Sequence, residues 1–78
     1  MKEFKVGDRV RLVSPDVEDI YGGLSVGDEG VVVDVVLDAL GVYWDKRSEN
    51  KHSCLGLCPD SHGHYIGMDN VVLVEEQG

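Results

Sequence analysis

From Lys51 to Tyr65 the chain reads KHSCLGLCPDSHGHY, and this stretch holds every cysteine and histidine of the sequence: His52, Cys54, Cys58, His62 and His64. Thiolate and imidazole are the ligand types that zinc takes in tetrahedral structural sites. The Cys54-x3-Cys58 spacing lets two thiolates grip one ion. Gly56 between them lets the loop turn back, and Pro59 stiffens the exit. The expected ligand set is His52, Cys54, Cys58 and His62. His64 adjoins Tyr65 and Ile66; it reads as a strand residue, or as a replacement for His52 or His62. Zinc there would tie the loop to the rest of the domain through coordination, a staple of the kind small domains use.

Other chemistry fits the cluster poorly. Catalytic zinc wants an open coordination position and a nearby carboxylate base, and Asp60 is the only carboxylate inside the segment. The cysteine spacing is not C-x-x-C, and no βαβ pattern surrounds it, which argues against a thioredoxin-like redox pair. A cysteine–histidine nucleophile would need an oxyanion hole or a helix N-terminus, and the sequence offers neither. No catalytic residues are therefore expected. The plain alternative to metal is a loop with two reduced cysteines and three solvated histidines.

The elements that must position this segment read as short strands. Val6, Val10 and Leu12 share one parity and Lys5, Arg9 and Arg11 the other, so residues 5–13 form a half-buried strand that Ser14 and Pro15 end. Residues 14–26 read as a long loop around Gly22 and Gly23. A turn at Gly27–Gly30 leads into a valine-rich strand over residues 29–37. After a turn at 38–41 comes a strand over 41–45, with Val42 and Trp44 on one face and Tyr43 on the other. Residues 46–63 have no periodicity, and so long a structureless loop in a small domain is usually functional or held by something. Short strands follow at 64–68 and 71–74, with a turn or one helical turn at Asp69–Asn70. Five short strands at this spacing predict an all-β fold, a small and partly open barrel in one domain over 1–78. VGDRV at Val6–Val10 and VGDEGV at Val26–Val31 form a weak internal echo.

GDRVRLV, a long loop, VGDEGVVV and then VYWD together resemble the SH3-like barrels of the KOW and mind-bomb type. The resemblance covers residues 5–45 and 69–75. It implies a five-stranded, partly open SH3-like barrel and carries little about function, because that fold serves many partners. Such barrels have a short hairpin where this chain has residues 46–64, so the resemblance makes the Cys/His loop an insertion.

Charge bounds the partners. The 78 residues carry 15 acids against 7 bases, a formal net charge of −8. A nucleic-acid binder places Lys and Arg on phosphates, so direct nucleic-acid binding is not expected. An acidic field favours solubility and speeds encounter with a basic partner. The chain opens MKEFKVGDRV with no apolar stretch behind it, and no apolar run is long enough to span a bilayer. A cytoplasmic protein with no membrane contact is the expectation. In size, acidity and single-domain build the chain resembles small acidic phage-encoded type II-A anti-CRISPR proteins. That likeness implies a non-enzymatic inhibitor that binds a basic host nuclease such as Cas9 and blocks DNA loading. The alternative is a generic SH3-like interaction or assembly module without inhibition. Candidate contacts are Asp16, Glu18, Asp19 and Tyr21 in the first long loop, and Leu55 and Leu57, which flank Gly56 in the zinc loop.

Overall fold

The computed structural model describes residues 3–48, 51, 54, 56–58 and 61–74. Five strands appear in chain order: β1 (Arg9–Leu12), β2 (Glu29–Val35), β3 (Ala39–Trp44), β4 (Gly63–Gly67) and β5 (Val71–Leu73). They form one antiparallel sheet in the order β4-β3-β2-β1-β5. The sheet curls around a core without closing, the five-stranded, partly open arrangement expected of an SH3-like barrel. Among the described residues no helix is long and apolar enough to cross a membrane.

The internal echo has a structural meaning. Gly7 and Gly27 both sit at positive φ, 99° and 95°, a region glycine enters at little steric cost. In each copy the Asp after the glycine accepts from the amide three residues back: Lys5 N to Asp8 Oδ2 at 2.9 Å, Ser25 N to Asp28 Oδ2 at 3.0 Å. Each glycine amide then donates across to a neighbouring strand, Gly7 to the Val32 carbonyl and Gly27 to that of Leu12, both at 2.8 Å. The same Val-Gly-Asp turn thus launches β1 and β2.

Alternation in β1 and β3 sends one parity inward. Val10, Leu12, Val42 and Trp44 are fully buried, while Tyr43 remains on the outer face. Val32, Leu40, Ile66, Val71 and Leu24 complete the core, with Phe4 and Met68 packed against it. Burial of apolar surface in this cluster supplies the main driving force of folding. Gly30 lies opposite Trp44. A Cβ at Gly30 would stand 2.5 Å from the Tyr43 carbonyl oxygen, 2.7 Å from Val42 Cγ1 and 2.8 Å from Trp44 Cα. Two of those three atoms are backbone, so the pairing itself would have to open.

Several expectations shift. Val6 shares parity with Val10 but sits in the turn before β1 and is exposed. The valine-rich strand ends at Val35. Its pairing slips between Val32 and Asp34; Val33 is the extra residue of this bulge, and beyond it Val35 and Val36 face solvent. The third strand begins at Ala39, inside the expected turn. The first long loop contains a short helix, α1 (Val17–Tyr21). The strand expected over 64–68 is β4 (Gly63–Gly67), which begins one residue earlier, at Gly63 of the unpatterned stretch, and ends one residue earlier. The helical turn expected near Asp69 is a 3-10 turn at Met68–Asn70.

Replacing Gly30 by Ala should lower unfolding stability by about 2 kcal/mol or more, the cost of overpacking a site that cannot give way. Urea denaturation of the variant checks this. An unchanged midpoint would mean that β2 and β3 do not approach as described.

Candidate functional site

Cys54 and Cys58 lie beside Val42 of β3 and Tyr65 of β4. Cys54 is fully buried, with its thiol 3.9 Å from the Val42 carbonyl. The Cys58 side chain hydrogen-bonds with that of Cys54, so the two sulfurs adjoin. Burial first, and then the neighbouring Cys58, push the Cys54 thiol up to about 12. Without a metal, Cys54 is therefore a protonated, unreactive thiol at neutral pH. Beside this pair Tyr65 donates its hydroxyl to Asp34 Oδ2 at 2.7 Å, and that bond raises the phenol to about 12.

His62 is placed by Trp44. Trp44 donates its amide to the His62 carbonyl at 2.8 Å. In return His62 Nδ1 stands 2.9 Å from the Trp44 carbonyl. A carbonyl can only accept, so Nδ1 carries the proton, and in the neutral ring the lone pair is on Nε2. The His62 ring packs edge-on against Tyr43, with centroids 5.2 Å apart. A histidine oriented this way suits zinc, whose histidine ligands usually donate their other nitrogen to a carbonyl or carboxylate. The convergence is incomplete, however: among the described residues no three His, Cys, Asp or Glu side chains group as a metal centre requires. The structure brings Cys54 and Cys58 together and gives His62 a role in holding β3. His52 lies outside the described residues.

His64 has a different task. On β4 it points to the same face as core residue Ile66, and its Nε2 lies 2.9 Å from Asp19 Oδ1. Asp19 is buried at 4% exposure, and its Oδ2 accepts from the Asp16 amide at 2.8 Å. This pair fastens α1 to the sheet. Gly22 leaves the room, since a Cβ there would be 3.0 Å from the His64 ring. Asp19, an expected contact residue, thus has its carboxylate buried and bonded inside the domain. Asp16, Glu18 and Tyr21 are exposed, Tyr21 at 75%. Leu57 is exposed at 51%, and Leu55 lies outside the described residues.

The basic side chains show a pattern that sequence reading missed. Glu29 takes Arg9 Nε on one carboxylate oxygen at 3.0 Å and Arg11 Nη2 on the other at 3.1 Å. Arg9 also pairs with Asp45. The hydrogen bonds from Arg9 and then Arg11 hold the Glu29 carboxyl below its ordinary range. Those to Asp45 and then Glu29 raise the Arg9 guanidinium. Lys51 is drawn inside at 5% exposure, with Nζ 3.3 Å from the Gly23 carbonyl, and burial lowers its ammonium. Only the facing of Arg11 and Glu29 across β1 and β2 could have announced the cluster, and that requires the register in advance.

Compared with models of protein families, with curated proteins and with solved structures, the chain matches none.

Iodoacetamide applied to the metal-free protein at about pH 8 should modify Cys58 before Cys54, with the difference lost in denaturant. Raised in the folded state, the Cys54 thiol keeps its proton when the unfolded chain has lost it. Its share of stability is present below the ordinary thiol range, near 9, and is lost as pH rises toward 12. Equal labelling of both cysteines in the native protein would contradict the burial.

Proposed function

We propose that this chain is a non-enzymatic, acidic protein-binding module of SH3-like build whose partner is a basic protein that handles nucleic acid. The observation that carries this reading is the fate of three cations, while Lys5, Lys46 and Arg47 stay exposed. Arg9 and Arg11 are bound by Glu29 and Asp45, and Lys51 is buried. The formal charge is −8, and on the β1–β2 face the two arginines are occupied by carboxylates rather than free to meet phosphate. Such a field opposes phosphate and suits a Lys/Arg-lined groove. Nucleases expose grooves of that kind, and a small acidic domain seated in one prevents DNA from loading. Cas9-type effectors are the proposed target, in the manner of a phage-encoded inhibitor acting in the cytoplasm.

Two measurements test this. Added in excess to type II Cas9 effectors before DNA, the protein should suppress cleavage of at least one of them. Unchanged cutting across the class would reject the inhibitor and leave a generic interaction module. In a gel shift at low micromolar protein and physiological salt, duplex DNA should remain unbound. A retarded band would reject the acidic-module reading itself.

Zinc is part of the same proposal. The adjoining thiols of Cys54 and Cys58 support it; His62 does not group with them in the metal-free chain, so zinc would have to draw in His62, together with His52, to complete the set. Bound zinc would hold both cysteines as thiolates. Protein purified without chelator should carry about one zinc per chain, and Cys58→Ser should release it because a hydroxyl is a poor zinc ligand. Elemental analysis finding less than about 0.2 metal per chain after growth with zinc would reject this part alone.

A further inference from the structure

A second surface lies away from both the first long loop and the Cys/His segment. The N-terminal segment, the β2–β3 turn and β5 enclose an open groove of about 590 Å³. Its apolar lining is Phe4, Leu37, Met68 and Leu73. Phe4 and Met68 rest on the core and form a fixed floor. Leu37 is wholly exposed and Leu73 is half exposed. Val35 and Val36, which precede Leu37 in the chain, are exposed as well. A contiguous apolar surface of this kind marks a contact site.

The charge around it selects the occupant. Glu3 and Asp8 line the groove, and the exposed Asp38 and Asp69 adjoin Leu37 and Met68 in the chain. Lys5 is the lone cation of the lining, and its backbone amide is already given to Asp8. A second copy would bring the same excess of acids and be repelled. A basic segment would be attracted, and its apolar side chains would find the floor. The volume suits a few side chains rather than a domain. β5 is terminal in the sheet order, which favours an occupant in extended form.

We propose that this groove docks an extended, basic and apolar segment of a partner protein, with apolar side chains between Leu37 and Leu73 and Lys or Arg against Glu3 and Asp8. The proposal rests on the reading of the chain as an acidic binding module and adds the surface that does the binding.

The test is an NMR titration of the full chain with two pools of twelve-residue peptides. One pool has Lys and Arg flanking a central Leu-Phe pair; in the other each basic residue is Glu. The basic pool should shift the amides of Phe4, Leu37, Met68 and Leu73, and the acidic pool should not. Leu37→Glu should weaken binding by about tenfold or more, as loss of an anchor does, and leave the fold intact because Leu37 packs against nothing. Shifts confined to Asp16–Tyr21 would overturn the groove and leave the acidic module standing. Equal binding of both pools would overturn the charge argument for the groove and the module together. No shift at the groove with either pool would overturn the groove alone, since the duplex-DNA gel shift judges the acidic module separately. Dimers in sedimentation that Leu37→Glu dissolves would give the groove to a second copy and overturn the proposal.

Discussion

The rest of the molecule depends on the close pairing of β2 with β3 at Gly30 and Trp44. A chain this short has one core, and the indole is its largest member. The strand that carries it can approach β2 closely because Gly30, across from it, has no side chain. His62 then secures the end of β3 by a reciprocal pair of hydrogen bonds to the Trp44 backbone. The packing is not without cost. Trp44 Nε1 is buried with no partner among the described residues, and an unpaired buried donor costs about 1–3 kcal/mol. The site tolerates this in exchange for the apolar area the indole removes from water.

Around that core the long connections are held by buried polar contacts. Asp19 and His64 bind α1 to β4. Lys51 reaches the carbonyl of Gly23, so the chain after β3 meets the chain after α1. Ser48 N joins the Ser61 carbonyl at 2.8 Å. These contacts use acids and bases that would otherwise lie on the surface. The interior therefore decides which charges the protein shows. It keeps Asp19 and Lys51 for itself, while Arg9 and Arg11 pair with Glu29 at the surface and Asp16, Glu18, Asp38 and Asp69 are left to solvent.

Much of the fold was legible because β-strand periodicity is a local signal. Val10 with Leu12, and Val42 with Trp44, declare their inward face in a few residues. The paired Val-Gly-Asp turns were visible as an echo, and their common hydrogen bonding explains it. What escaped was set by register and tertiary contact. The bulge at Val33 switches the face of the residues beyond it, so that Val35 pairs with the buried Leu40, and Val35 and Val36 are nonetheless exposed. The helix over Val17–Tyr21 is too short for periodicity to reveal. The use of Asp19 depends on His64, forty-five residues away, and the use of Glu29 depends on which strand faces it. In the Cys/His segment, composition showed the ligand types and the adjoining cysteines, but not that His62 is tied to the Trp44 backbone or that His64 faces inward.

The central claim is that the pairing of Arg9 and Arg11 with carboxylates and the burial of Lys51 leave the surface acidic on balance, including the strands that carry Arg9 and Arg11. Near-surface electrostatic potential can be measured amide by amide, by comparing NMR relaxation enhancements from cationic and anionic paramagnetic cosolutes of matched shape. The account predicts greater enhancement by the cationic probe along β1 and β2 as well as around α1, at physiological salt. Greater enhancement by the anionic probe at Arg9–Arg11 would show basic groups available to phosphate, and would contradict the account.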